Sequence, residues 1–246
     1  MREKSLSSYL KKYGISEYLL NEQKSWFGDV ANKSVLDFGC GSGNPHSLYL
    51  AKSAKQYLAL DLSQSSINNL IIKLTNEGVY DEDQINAIAI DILAESKFLT
   101  KFDVIYAAGV LHHFSNIEVI LERLDSLLNP GGVVVSYDPT NTRWYIKLVR
   151  WIYRPFQTDA EWEFPFGFRQ FALIEKYFLV ERRCGILNKS IFGFLLHLIP
   201  LQKTWKENRI LSWIKDDLNI SEAGEQEVYR CLHVALLLRK KNENSY

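Results

Sequence analysis

The sequence predicts a doubly wound α/β fold: a mostly parallel sheet of seven strands with helices on both faces. Three observations carry this. Short runs rich in β-branched and aromatic residues alternate with segments of helical periodicity through the first half of the chain. Those runs are apolar throughout instead of alternating, as parallel strands covered on both sides are. A glycine-rich turn, VLDFGCGSGN at 35–44, directly follows the first of them.

In chain order, SVLDF (34–38) is the first strand, and Asn44-Pro45 behind the glycines reads as an N-cap with proline at the first helical position. QYLALD (56–61) is the second strand. The helix after it spaces Ile67, Leu70, Ile71 and Leu74 along one face and stops at Gly78. INAIAID (85–91) and FDVIYAAG (102–109) are the third and fourth strands. Ser115-Asn116-Ile117-Glu118 fits a capping box opening a helix through Leu128, which Asn129-Pro130-Gly131-Gly132 ends. VVVSY (133–137) is the fifth strand. LVERRC (179–184) and CLHVALLLRK (231–240) supply two more, the last closing a sheet edge, with helical, tryptophan-bearing sequence between them. The whole of 1–246 is expected to form one domain, with a helical N-terminal segment (1–30) and helical cap insertions at 140–176 and 188–226.

Composition removes several classes of function. The chain has 246 residues, 47% apolar and 24% charged, the mix of a soluble globular protein. Lys plus Arg equals Asp plus Glu, 29 each, so no global charge argues for nucleic acid. Cys40, Cys184 and Cys231 are odd in number and far apart, which suits thiols in a reducing compartment. The first residues lack the uninterrupted apolar core of a signal peptide. The longest apolar stretch, Ile191 to Leu201, falls short of the roughly 20 residues that span a bilayer. The expected location is cytoplasmic, with room for peripheral membrane contact.

The glycines bear most directly on function. A phosphate-cradling P-loop requires Lys after its glycines, and none follows here. A dinucleotide fingerprint requires G-x-G-x-x-G, but counting from Gly39 puts Asn44 at the third glycine's place, and counting from Gly41 puts His46 there. The pattern that fits is acid-x-G-x-G-x-G, made by Asp37, Gly39, Gly41 and Gly43.

With these residues the sequence resembles the class I S-adenosylmethionine-dependent methyltransferases. VLDFGCGSGNPHSLYLA is similar to their first motif, Asp61 to their second-strand acid, and Asp91 to their adenine-facing third motif. FDVIYAAGVLHHF resembles the fourth-strand segment, and LNPGGVVVSYDP the turn and fifth strand after it. The resemblance covers roughly Trp26 to Pro139 and implies a Rossmann-like fold, with S-adenosylmethionine as cofactor and S-adenosylhomocysteine as product. It implies a cofactor site made of Asp37, Gly39, Cys40, Gly41, Gly43, Asp61, Leu62, Asp91, Ile92 and Ala108, with Leu93 beside them. Physical reasoning agrees with it. The ligand carries no phosphate but must lie close to backbone, where a Cβ would intrude. Asp61, about 20 residues past the glycines at a strand's end, is placed to accept from ribose hydroxyls.

The candidate catalytic residues are His112 and His113, just past the fourth strand, as general bases toward a hydroxyl or weak carbon acid. No metal is expected, because two adjacent histidines without a carboxylate or cysteine beside them make a poor site.

The acceptor should be selected by what decorates the sheet. The N-terminal aromatics Tyr9, Tyr13, Tyr18, Trp26 and Phe27 form either a lid or plain packing. The segment 140–156 is a basic amphipathic helix stopped by Pro155, with Lys147, Arg150 and Arg154 on one face and no acidic residue. With 190–205 it is expected to cap a pocket lined by Tyr137 and Trp144 that admits a small hydrophobic or lipid-like acceptor. Ubiquinone- and menaquinone-biosynthesis methyltransferases, which the chain generally resembles, take such molecules. The alternatives are an NAD-type oxidoreductase and an inactive S-adenosylmethionine-binding module. Neither the methylated atom nor the oligomeric state is legible.

Overall fold

Apolar runs become strands here because the central strands bury side chains on both of their faces, while the edge strands leave side chains exposed. The computed structural model describes residues 8–94, 100–153, 160–193, 196, 199–223 and 225–241. Its strands are β1 (Ser34–Phe38), β2 (Gln56–Asp61), β3 (Ile85–Ala89), β4 (Phe102–Ala108), β5 (Leu128–Pro139), β6 (Phe178–Ile186) and β7 (His233–Lys240). They form one seven-stranded sheet of order β3-β2-β1-β4-β5-β7-β6. The first five are parallel, and β7 runs antiparallel to both its neighbours. Strand order reverses between β1 and β4, so a crevice opens at their carboxyl ends, the place where such sheets bind ligands.

The helices are α1 (Ile15–Phe27), α2 (Ser47–Ser53), α3 (Gln64–Asn76), α4 (Ile117–Leu127), α5 (Trp144–Tyr153), α6 (Phe168–Tyr177), α7 (Lys203–Ala223) and α8 (Glu225–Val228). Alternate residues of the central strands feed two separate cores. Val35, Val104 and Tyr106 pack with α1, α2, α3 and residues of α5 and α7, whereas Leu36, Ile105 and Val134 pack with α4 and α6. α1 buries Ile15, Leu19, Trp26 and Phe27 in the first of these cores, and so packs on the sheet. Tyr9 reaches further, donating its hydroxyl to the Ser190 carbonyl at 2.9 Å.

Element ends depart from the sequence reading at several strands, and three departures bear on the site. Asn44 does not cap a helix: α2 starts at Ser47, and Asn44 instead donates its side-chain amide to the Gly39 carbonyl at 3.1 Å, bracing the glycine turn from within. Asn116, not Ser115, caps α4 by accepting from the Glu118 N–H. β5 begins at Leu128, directly behind α4, so the Asn129–Gly132 stretch lies inside its span, with Gly131 at φ 74°. The Pro155 expected to end α5, and residues 194, 195, 197 and 198 of the second apolar run, lie outside the described residues.

The cap is tied to the sheet by one buried carboxylate. Asp217 of α7 accepts from the backbone N–H groups of Asn188, Lys189 and Ser190 at 2.9–3.0 Å, and from the Ser190 hydroxyl at 2.5 Å. These bonds secure a chain that leaves β6 through Leu187, which is not a glycine yet has φ 62°. Strain of that kind persists only where neighbours over-determine it.

Candidate active site

The turn between β1 and α2 is built from three left-handed glycines, Gly39 (φ 65°), Gly41 (φ 52°) and Gly43 (φ 105°). They serve different ends. A Cβ on Gly39 would lie 2.6 Å from Val110 Cβ, so this glycine lets the β1 turn press against the β4 turn. A Cβ on Gly41 would meet nothing within 4 Å. Gly41 therefore leaves bare backbone facing open space, the cradle a close-lying ligand needs. The turn is hung from β2, because the N–H groups of Gly39 and Cys40 both donate to the Leu60 carbonyl, at 2.8 and 3.0 Å.

Asp61 stands at the carboxyl end of β2 as the sequence predicts. Its Oδ2 accepts from the Gly41 N–H at 2.8 Å and its Oδ1 from the Ser63 N–H at 2.9 Å. Each oxygen keeps a lone pair for a further donor. Beside it Leu62 is 77% exposed, and Leu93 is 40% exposed beyond β3, apolar surfaces left uncovered at the crevice. Asp91 is exposed two residues past β3, and its Oδ1 accepts from the Leu93 N–H. Ala108, half-buried, closes β4.

Asp61→Ala is expected to weaken cofactor binding roughly tenfold or more, by removing the acceptor for two hydroxyls and freeing the Gly41 N–H. Calorimetry with S-adenosylhomocysteine checks it, and unchanged affinity would exclude Asp61 from the site.

Three predicted residues turn inward. Cys40 is fully buried, and burial pushes its thiol pKa up, so only its backbone is available to the crevice. Ile92 buries its side chain with Leu60 and Ile117 in the α4 core and likewise offers only main chain. Asp37 is wholly buried beneath the turn, where its Oδ2 accepts from the Ser47 hydroxyl at 2.5 Å and the Tyr57 hydroxyl at 2.7 Å. Its Oδ1 has no hydrogen-bond partner. The sequence assigns no role to Ser47, inside the first motif, or to Tyr57, in the second strand, since only the fold brings both hydroxyls onto Asp37.

Burial raises the Asp37 carboxyl to about 6, against the lowering effect of its two hydroxyl donors. Burial also lowers His46, set edge-on to Phe27 and Tyr106, to about 4, helped by the charge of Lys24. The two act in opposite directions on stability. Between the ordinary aspartate value and about 6 the folded state holds a proton on Asp37 that the unfolded chain has lost, so stability falls as pH rises. Between about 4 and the ordinary histidine value the unfolded chain binds a proton that folded His46 refuses, so stability falls as pH drops. Asp37→Asn removes the first effect alone. Its melting temperature should therefore decline more steeply than the parent's as pH is lowered from about 6 toward about 4. Parallel melting curves would refute the pairing.

The histidines sit on a short turn, Leu111–His113, directly behind Val110, the residue that packs against Gly39. His112 Nδ1 is 2.9 Å from Asp138 Oδ1, and the same oxygen accepts the His112 backbone N–H at 3.1 Å. Asp138 is completely buried at the end of β5, with Oδ2 lacking a hydrogen-bond partner. The expectation of histidines without a neighbouring carboxylate is thus corrected. The acid lies twenty-six positions away and reaches His112 through β4–β5 pairing. The His113 ring packs against His112 at 4.1 Å, tilted by 37°, and its Nδ1 is 2.9 Å from the Trp162 carbonyl. The Phe164 N–H donates to the His112 carbonyl at 2.6 Å, so residues 162–164 roof the pair.

Tyr137 stacks on His233 at 5.3 Å next to this turn, and its carbonyl accepts the Gly109 N–H at 2.7 Å. Trp144 does not close over a cavity; it is 73% exposed, with its ring edge-on to Tyr145. Among the described residues no group of three or more His, Cys, Asp and Glu side chains could hold a metal ion. No described helix is long and apolar enough to cross a membrane.

A switch-point crevice with bare glycine backbone, a strand-end carboxylate and exposed apolar flanks defines a Rossmann-like nucleoside-binding protein. Known proteins agree. The family described as a methyltransferase domain matches residues 36–134. An uncharacterized methyltransferase of Schizosaccharomyces pombe is 27% identical over 139 residues, 53% of this chain and 49% of that protein. A tRNA U34 carboxymethyltransferase of Nautilia profundicola is 29% identical over 44% of this chain and 34% of its own. A ubiquinone biosynthesis O-methyltransferase of Rickettsia canadensis is 27% identical over 48% of each. The matches thus span about half the length of these relatives or less. Among solved structures, the N-methyltransferase NodS of Bradyrhizobium japonicum, in complex with S-adenosyl-L-homocysteine, superposes with TM-score 0.56 at 14% identity, covering 90% of this chain and 87% of its own. A putative sarcosine dimethylglycine methyltransferase of Galdieria sulphuraria gives 0.60 at 14% identity, over 98% and 88%. Residues 36–134 thus match a methyltransferase domain, the chain shares the fold of solved methyltransferases, and S-adenosylmethionine is the cofactor its site fits.

Proposed function

We propose that this protein transfers a methyl group from S-adenosylmethionine to a hydroxyl, or a similarly weak nucleophile, of a small hydrophobic acceptor. The observation that carries the reading is the His112–Asp138 pair at 2.9 Å, two residues past Val110, which packs against Gly39. S-adenosylmethionine, when bound, supplies a methyl group already activated on a sulfonium. The protein's part is then to align the nucleophile, exclude water and remove a proton.

Asp138 fixes His112 in the tautomer that donates from Nδ1, leaving Nε2 to accept a proton, and stabilises the imidazolium as it forms. His113, held by the Trp162 carbonyl, packs the ring and fixes its plane. Gly41 backbone and the Asp61 carboxylate would hold the ribose end of the cofactor, with Leu62 and Leu93 flanking the adenine and Asp91 near its amino group. Asp37 acts from below, by fixing Ser47 and Tyr57. Aromatic surroundings at the strand ends favour an apolar acceptor: Tyr137 on His233, and Tyr145 against Phe192 at 5.3 Å. The O-methyltransferase named for ubiquinone biosynthesis among the relatives points the same way.

The test is a thermal-shift screen of hydroxylated aromatic and isoprenoid acceptors in the presence of S-adenosylhomocysteine, followed by methyl-transfer assays on the hits. Sugars and amino acids binding in preference to aromatic acceptors would overturn the acceptor class. Tighter binding of NAD than of S-adenosylhomocysteine would overturn the reaction.

A further inference from the structure

α5 buries the opposite face from the one its largest side chains occupy. Trp144, Lys147, Leu148 and Trp151 follow the i, i+3, i+4, i+7 spacing that places residues on one side of a helix. All four are exposed, Leu148 at 45% and Trp151 at 70%, while Ile146 on the other side is completely buried. Single exposed apolar residues are ordinary, but two indoles and a leucine on two successive turns form a contact surface.

Charge says what the surface meets. From Thr140 to Phe156 the chain carries Arg143, Lys147, Arg150 and Arg154 and no acidic residue, although the protein as a whole is neutral. Arg143 and Arg150 pair with Glu227 and Glu163 at 4.0 and 3.9 Å. Lys147 has no ion pair among the described residues, and it sits between the two tryptophans. The same composition returns at 199–206, where Ile199, Leu201 and Trp205 are 44–50% exposed, with Lys203 and Lys206 interspersed and no acid. The turn preceding that segment touches α5 through the Phe192–Tyr145 ring contact.

We propose that the outer face of α5, with the 199–205 segment, docks the protein on an anionic lipid surface. Indole rings are amphipathic and settle at the level of the headgroups. A flexible lysine is a point charge that suits mobile phosphates better than one fixed partner. An interfacial helix meets a bilayer with such an apolar and basic face. This inference is independent of which molecule is methylated.

Co-sedimentation of the full chain with vesicles tests it, comparing phosphatidylcholine alone with phosphatidylcholine containing phosphatidylglycerol. We expect capture by the anionic vesicles at low salt, little by the neutral ones, and release as salt is raised. Leu148→Ser combined with Trp151→Ser should weaken capture roughly tenfold. Lys147→Glu should weaken it by at least about fivefold. Neither change should alter the melting temperature or S-adenosylhomocysteine affinity, because the side chains are exposed. Absence of capture at low salt, or equal capture of parent and double variant, overturns the proposal. So does a dimer in solution that the double variant dissolves without any vesicle binding, since the face would then belong to a second copy.

Discussion

His112→Gln is expected to lower turnover by roughly 10²–10⁴-fold, the range contributed by a positioned general base, while S-adenosylhomocysteine binds as before. The imidazole stands two residues past Val110, which packs against Gly39, and none of the bonds that shape the glycine loop passes through its side chain. Asp138→Asn is expected to act in the same direction through His112. An amide oxygen still accepts the Nδ1 proton, but it brings no negative charge to the imidazolium that forms. The asparagine variant should therefore retain more activity than the glutamine one and be impaired mainly in kcat. Methyl-transfer kinetics with both variants check this, with melting temperatures to confirm that each folds. Full turnover in His112→Gln would mean that the enzyme only aligns its substrates and takes no proton.

The sheet was legible because its central strands are buried on both faces, and a continuous apolar run needs no knowledge of its partners to be read. Val35 and Leu36 go to different cores, yet both had to be apolar. The cofactor loop was legible for a related reason: glycines at alternate positions have few uses other than left-handed turns at close approach. What sequence could not supply was pairing across the sheet. Asp138 was in plain view in the Tyr137-Asp138-Pro139 string, but only the β4–β5 register carries it to His112. Cys40 and Ile92 lie within the right motifs, but strand alternation and packing against α4 turn their side chains away from the crevice. The basic amphipathic character of α5 is legible, but the helix spans Trp144–Tyr153 within the expected 140–156, and the outward setting of Leu148 and the tryptophans goes with the burial of Ile146, which no periodicity reveals.

The glycines themselves give the sharpest remaining expectation, because two that look equivalent in the motif should fail differently. Gly39→Ala would set a methyl group against Val110 Cβ at 2.6 Å and hold alanine at φ 65°. Left-handed strain and overpacking together predict a loss of about 2–5 kcal/mol in stability. Val110 leads into the Leu111–His113 turn, so whatever relieves the clash also displaces His112 from Asp138. Both cofactor affinity and turnover should therefore collapse in this variant. Gly41→Ala, at φ 52°, carries strain of only about 1–2 kcal/mol, since no atom of the protein stands within 4 Å of the new methyl group. Its fold should persist, but the methyl projects into the space where the ligand lies against backbone, and affinity for S-adenosylhomocysteine should drop roughly tenfold or more. Chemical denaturation alongside calorimetry separates the two outcomes. If Gly41→Ala bound as tightly as the parent, the open face of that glycine would not be where the cofactor sits, and the cradle would have to be sought elsewhere along the β1–α2 turn.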